Sequence, residues 1–171
     1  GTQINLDYTS EKDFIKKFKL SSFLVPLSIS IFANSPIKEK KLNGYLSYRS
    51  FIWQNTSRGG LLKSFLEDMN FEKYVDMAIN KPLFFIFKNN KHFRSEGKTF
   101  KDFMLGKISN LNNKTPNIKD FEIHLATIFN EVRLKKYIEI RSLDTCEWDC
   151  HCGGPAFYTG LIYGNLDEAL N

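Results

Sequence analysis

The sequence predicts an α+β domain built on an antiparallel sheet, and three observations carry that expectation. Two segments alternate polar and apolar residues with the period of a strand, Gln3-Ile4-Asn5-Leu6-Asp7 near one end and Tyr137-Ile138-Glu139-Ile140-Arg141 near the other. Helical segments of unlike length lie between them, several opened by capping boxes. Turn residues fall at hairpin spacing, as in Asn89-Asn90, and the parallel βαβ array is the weaker reading.

Taken in order, the first strand places Gln3, Asn5 and Asp7 on one face and Ile4 and Leu6 on the other. Ser10-Glu11-Lys12-Asp13 is a capping box, so a helix follows, with Phe14, Ile15, Phe18, Leu24, Leu27 and Ile31 expected toward the core. Pro26 should kink it, and Asn34-Ser35-Pro36 should stop it. A polar loop over residues 38–44 leads to Tyr45–Trp53 and then to the glycine-containing turn Thr56-Ser57-Arg58-Gly59-Gly60. Phe71, Tyr74, Val75 and Ala78 have helical spacing, whereas residues 82–87 read as a short apolar strand turning at Asn89-Asn90 into Lys91-His92-Phe93. Thr99 with Asp102, and Asn117 with Asp120, cap two further helices. A last helix is expected over residues 148–163.

Composition narrows the function classes. Of 171 residues, 42% are hydrophobic and 25% charged, ordinary values for a globular domain with a real core. The net charge of +5 is scattered. Its densest runs, Lys38-Glu39-Lys40-Lys41 and Arg133-Leu134-Lys135-Lys136, read as solvated faces, so nucleic acid is not an expected partner, and anionic small molecules explain the charge as well. No apolar run approaches the ~20 residues of a membrane span and no secretory leader is visible, which makes no membrane and a cytoplasmic location the default expectations. Residue 1 is Gly, and Leu166-Asp167-Glu168-Ala169-Leu170-Asn171 reads as the opening of a helix. Residues 1–171 are therefore expected to be a single partial domain truncated at both ends.

Three constellations could carry chemistry. On the strand pair, Glu139 and Arg141 share one face, as do Gln3 and Asn5. Such a face can line a polar cleft, its carboxylate holding Mg²⁺ and its guanidinium meeting a transferring phosphoryl group. Alternation alone equally describes a half-exposed sheet with a wet side. Arg49, Trp53 and Arg58 form the second set, because guanidinium forks match carboxylates and phosphates; a surface loop around a buried Trp is the plainer reading. The third is Cys146, Cys150, His151 and Cys152. Structural zinc needs two ligand pairs brought from separate places, and no second pair exists, so free thiols are expected. No GxxxxGK or GxGxxG loop is present.

Several stretches together resemble a known family. They are Gln3-Ile4-Asn5-Leu6-Asp7, Phe32-Ala33-Asn34-Ser35-Pro36, Asn43-Gly44-Tyr45-Leu46-Ser47-Tyr48-Arg49-Ser50 with Trp53, the segment over residues 99–107, and above all residues 124–141, which include Asn130-Glu131-Val132-Arg133-Leu134-Lys135-Lys136-Tyr137. In this order, and over the whole length, they resemble the glutamate–cysteine ligases of the plant and alphaproteobacterial type. The resemblance implies part of a glutamine synthetase-like fold, a curved antiparallel sheet with an active concave face and helices on its outer face. It implies a reaction in which ATP and Mg²⁺ activate the side-chain carboxylate of glutamate as an acyl phosphate, which the cysteine amine attacks to give γ-glutamylcysteine. Glutamate, cysteine, ATP and the remainder of the parent chain are the implied partners.

By the same resemblance Glu139 is a metal ligand, and Arg141 a catalytic phosphate contact. Gln3 and Asn5 line the nucleotide cleft. Arg49 is the catalytic clamp on the substrate carboxylate, with Trp53 and Arg58 beside it. Phe84 stands near the cysteine pocket where relatives carry Tyr. The loop Gln54-Asn55-Thr56-Ser57 is shorter and less charged than in the family, Cys146 and Cys150 have no counterpart there, and Ser95 replaces a Cys of the plant redox disulfides, so no such switch is expected. Because the family's upstream metal-binding strands are missing, the chain alone is expected to lack ligase activity. Three other readings stay open: a ligase using another amine acceptor, a non-catalytic basic binding module, and, more weakly, a small zinc module at Cys146 to Cys152.

Overall fold

The chain runs β1 (Thr2–Leu6), α1 (Glu11–Ile31), β2 (Ile37–Lys38), β3 (Lys41–Leu42), α2 (Tyr48–Gln54), β4 (Gly59–Gly60), α3 (Phe71–Ile79), β5 (Ile86–Lys88) and β6 (Lys91–Phe93). It continues through α4 (Phe100–Met104), α5 (Ile118–Ala126), β7 (Phe129–Asn130), β8 (Val132–Leu134), β9 (Ile138–Leu143), α6 (Gly153–Thr159) and α7 (Leu166–Ala169). This computed structural model describes residues 1–88, 90–111 and 114–171. Helices and antiparallel strand pairs are mixed along the chain, which is the α+β class. The residues form two compact units, Gly1–Phe71 with Asn130–Asn171, and Glu72–Phe129.

The first unit is organised by the sheet β1-β9-β8, in which β9 lies between two antiparallel neighbours. The register aligns Ile4 with Ile140 and Val132, and Asn5 with Glu139 and Arg133. Residues opposite one another across a ladder share a face, so this register sorts an apolar row from a polar one. Ile4, Leu6, Val132, Ile138 and Ile140 are all buried, and α1 packs against β9. Phe14 and Phe18 of α1 are fully buried, with Phe18 edge-on to Phe65 at 4.9 Å.

Helix α1 starts where the capping box places it, with Ser10 Oγ accepting from the Asp13 N–H at 3.2 Å, and runs on through Pro26. Its buried stripe differs from the expected one. Leu27 and Ile31 are exposed, whereas Ser21, Ser22, Val25 and Ser28 are buried. Ser22 and Ser28 tolerate burial because their hydroxyls find partners, although Ser21 Oγ has none among the described residues: Ser22 donates to the Phe18 carbonyl at 2.8 Å, and Ser28, Ser142 and Tyr158 form a closed hydroxyl triad with separations of 2.8, 3.2 and 2.9 Å. That triad ties α1, β9 and α6 together.

Two more expectations are corrected in this unit. The polar loop over residues 38–44 contains a tight hairpin, β2-β3, with Glu39 and Lys40 both at positive φ, the backbone that a two-residue turn requires. The helix expected over residues 148–163 is broken into a 3₁₀ turn at Trp148–Cys150, α6, and a π turn at Gly160–Gly164. Pro155 explains the first break, because its ring would clash with the carbonyl of residue 151 in a longer helix but is tolerated in a first turn.

In the second unit both capping boxes form, Thr99 with Asp102 and Asn117 with Asp120. Leu83, Ile86, Phe100, Phe103, Ile108 and Leu111 make its core. The strand expected over residues 82–87 shortens to β5, which pairs with β6. Asn90 has the positive φ of a hairpin residue, and Asn89 lies outside the described residues. His124 is buried on α5, with its Nε2 2.8 Å from the Ala78 carbonyl oxygen.

Candidate functional site

The polar face of the β1-β9-β8 sheet concentrates the charge of the first unit. Glu139, 2% exposed, is met from three sides. Arg133 approaches its Oε2 to 2.5 Å, Arg141 NH1 reaches the same oxygen at 3.2 Å, and Lys135 Nζ meets Oε1 at 2.8 Å. Burial alone pushes the Glu139 carboxyl upward, but the Lys135 hydrogen bond and the Arg133 and Arg141 charges overcome it and hold it below its ordinary value. Asn5 is exposed opposite Glu139, and Gln3 lies exposed at the register irregularity between Thr2 and Ile4.

Arg49 joins this cluster from α2. Its NH2 donates to the Arg141 carbonyl, and its NH1 is buried with no hydrogen-bond partner among the described residues. Burial lowers its pKa, countered by the Glu131 and Asp144 charges.

Glu131 is the residue that sequence reasoning left without a role. It is 1% exposed, neither carboxylate oxygen has a hydrogen-bond partner among the described residues, and its main-chain carbonyl accepts from the Arg141 N–H at 2.8 Å. Burial pushes its pKa up to about 7, against the pull of Arg49 and Arg141. A signal was present, since Glu131-x-Arg133 repeats the acid-x-arginine step of Glu139-x-Arg141 one strand away.

The loop after α2 brings its backbone under the Trp53 indole. A Cβ on Gly59 would lie 2.9 Å from Trp53 Cε3, and Gly60 has φ +83, so two glycines are what this return requires. Arg58 is buried there, and burial lowers its pKa. Phe84 belongs to the second unit, where it is 61% exposed and its ring centroid is 5.7 Å from that of Phe85. In that unit a groove of about 540 Å³ lies among Val75, Ile79, Phe100, Met104, Ile118 and Phe121, with no ionisable side chain lining it.

The donor set does not make a magnesium site by itself. Both Glu139 oxygens are committed to cations, and among the described residues no group of three or more His, Cys, Asp or Glu side chains is placed to hold a metal. What the cluster offers is guanidinium charge held in a desolvated setting, suited to carboxylate and phosphate oxygens. Cys146 is partly buried, Cys150 and Cys152 are exposed, and all are free thiols. Among the described residues no helix is long and apolar enough to cross a membrane.

Comparison with known proteins gives a consistent picture. Residues 1–171 match the family described as Glutamate-cysteine ligase family 2 (GCS2). Glutamate–cysteine ligase B, chloroplastic, of Oryza sativa subsp. japonica is 47% identical over 164 residues, covering 94% of this chain and 33% of the relative. The chloroplastic glutamate–cysteine ligases of Nicotiana tabacum and Arabidopsis thaliana are each 45% identical, covering 96% and 98% of this chain and 32% of each relative. The chain thus spans about a third of the length of the curated relatives it matches. The chloroplastic names of these relatives overturn the cytoplasmic default drawn above from the lack of a visible leader. That lack described only the residues in hand.

Proposed function

The chain belongs to glutamate–cysteine ligase family 2, and from that premise we propose that the polypeptide carrying it joins the side-chain carboxylate of glutamate to the amine of cysteine at the expense of ATP. The single observation that supports this from within the chain is the convergence of Arg49, from α2, on Arg141 at the sheet of the first unit, beside Glu131 and Glu139. We take that sheet as one wall of a glutamine synthetase-like active site, and the 171 residues as a partial catalytic domain.

In this reading the γ-carboxylate of glutamate attacks the terminal phosphorus of ATP, releasing ADP and leaving an acyl phosphate. Negative charge spreads over the transferring phosphoryl oxygens, and Arg141 stabilises it. Glu139 keeps the Arg141 fork aimed rather than neutralised, because it shares its charge with Arg133 and Lys135. Arg49 holds a substrate carboxylate with the NH1 arm, which has no hydrogen-bond partner among the described residues. The cysteine amine then adds to the acyl carbon and phosphate leaves with the C–O bond. Gln3 and Asn5 line the nucleotide side, and Trp53 and Arg58 the amino-acid side. Magnesium supplies charge neutralisation in the family's reaction. We place its carboxylates outside these residues.

The test compares two polypeptides. A protein of the relatives' length that contains this chain should form γ-glutamylcysteine and release phosphate only with glutamate, cysteine and ATP together. The 171 residues alone should form none. Turnover of another amine in preference to cysteine would favour the alternative acceptor, and no ATP-dependent ligation by the longer protein would refute the reading.

A further inference from the structure

Arg49 carries much of the proposed function, and the structure shows what fixes it. Its guanidinium is tied to β9 through the Arg141 carbonyl, and its main-chain N–H donates to Ser35 Oγ at 3.2 Å. That hydroxyl in turn donates to Asp144 Oδ2 at 2.7 Å, and the Asn34 N–H donates to the same oxygen at 2.8 Å. The other oxygen, Oδ1, accepts from Ser47 Oγ at 3.1 Å. Ser47 is the N-cap of α2, its Oγ accepting from the Ser50 N–H at 3.3 Å. Asp144 is 5% exposed, and its three donors are neutral.

We propose that Asp144 is a positioning residue for the reaction: through Ser35 and Ser47 it locks the first turn of α2, and so aims the Arg49 guanidinium. Ser47 satisfies one free N–H of the first turn. The second branch, Asp144 to Ser35 to the Arg49 N–H, satisfies another, and does so at the residue whose guanidinium is tied to β9. After Glu131, the negative charge of Asp144 also counters the burial that lowers the Arg49 pKa. This inference rests on the reading of Arg49 as the carboxylate clamp.

The experiment uses the longer protein and measures the glutamate dissociation constant by calorimetry, together with kcat for γ-glutamylcysteine formation. The variants are D144A, D144N and S35A, each alone and combined with R49K, with thermal unfolding followed in parallel. D144A should weaken glutamate binding about tenfold or more while kcat at saturation falls much less. D144N, which retains an oxygen for Asn34 and Ser35, should recover most of that loss, and S35A should lose part of it. None should weaken binding further once R49K is present, because a residue that acts through Arg49 has nothing left to aim. If D144A does not fold, D144N and S35A are judged by the same criterion. Losses that multiply with that of R49K, or unchanged binding in folded D144A and S35A, overturn the proposal while leaving ligation itself standing. Unchanged binding in R49K removes the clamp role first, and the role of Asp144 with it.

Discussion

Glu131 and Glu139 flank Arg141 through different contacts, Glu131 through its main-chain carbonyl and Glu139 through its side chain, and their charges respond to the fold in opposite senses. Glu131 is pushed up to about 7 by burial, so the folded state holds its proton over a range in which the unfolded chain, near 4.5, has lost it. Its contribution to stability therefore falls as pH rises from 4.5 to 7, by about 3 kcal/mol at full effect. Glu139, held below its ordinary value, contributes stability above that value and loses it as pH falls through the folded one. Urea unfolding followed across pH should show the decline between pH 4.5 and 7 in the natural chain and its disappearance in E131Q. A decline of the same size in E131Q would assign it elsewhere. E139Q removes the charge that Arg133, Lys135 and Arg141 share, and losing that buried carboxylate beside two buried guanidinium groups should cost about 3 kcal/mol, read as a lower denaturant midpoint.

At the level of the elements, the Ser28–Ser142–Tyr158 triad makes a sharp prediction. S28A leaves two buried hydroxyls one partner short each, so it should cost about 1–3 kcal/mol, whereas an exposed serine such as Ser30 should cost little. The same triad explains why the buried face of α1 was hard to read. Periodicity counts Leu27 and Ile31 as core and serines as polar, but a serine whose hydroxyl is bonded within the fold can occupy the inner stripe. Where the signal is local, the sequence was legible. The capping boxes at Thr99 and Asn117 depend on side chains three residues apart, and both form, whereas at Ser10 the cap forms and the Asp13 carboxylate accepts from the Thr9 N–H instead of closing the box. The alternation of Ile138, Glu139, Ile140 and Arg141 likewise needs only the strand period, and it marked the polar face correctly as the place where charge gathers. The partners of that charge were not legible. Arg133 reads as a solvated basic run until β8 is paired with β9 in register, and Glu131 and Asp144 acquire meaning only through contacts made across the fold. Gly59 shows the same dependence. G59A would press a Cβ to 2.9 Å from the Trp53 ring and 3.0 Å from the Trp53 carbonyl, so tryptophan emission should shift and stability should fall by about 1–3 kcal/mol.

For the whole molecule, the proposed function treats the polar face of the three-stranded sheet as one wall of a phosphoryl-transfer site. Arg141 is the residue on which that claim turns, since Glu139 positions it and the Arg49 guanidinium is tied to its carbonyl. The most direct measurement is the rate of glutamate-dependent phosphate release from ATP by R141A in the longer protein, with circular dichroism establishing that the variant is folded. Loss of a guanidinium from the transferring phosphoryl group should lower kcat about a thousandfold. A folded R141A that releases phosphate within about twofold of the natural rate would contradict the account.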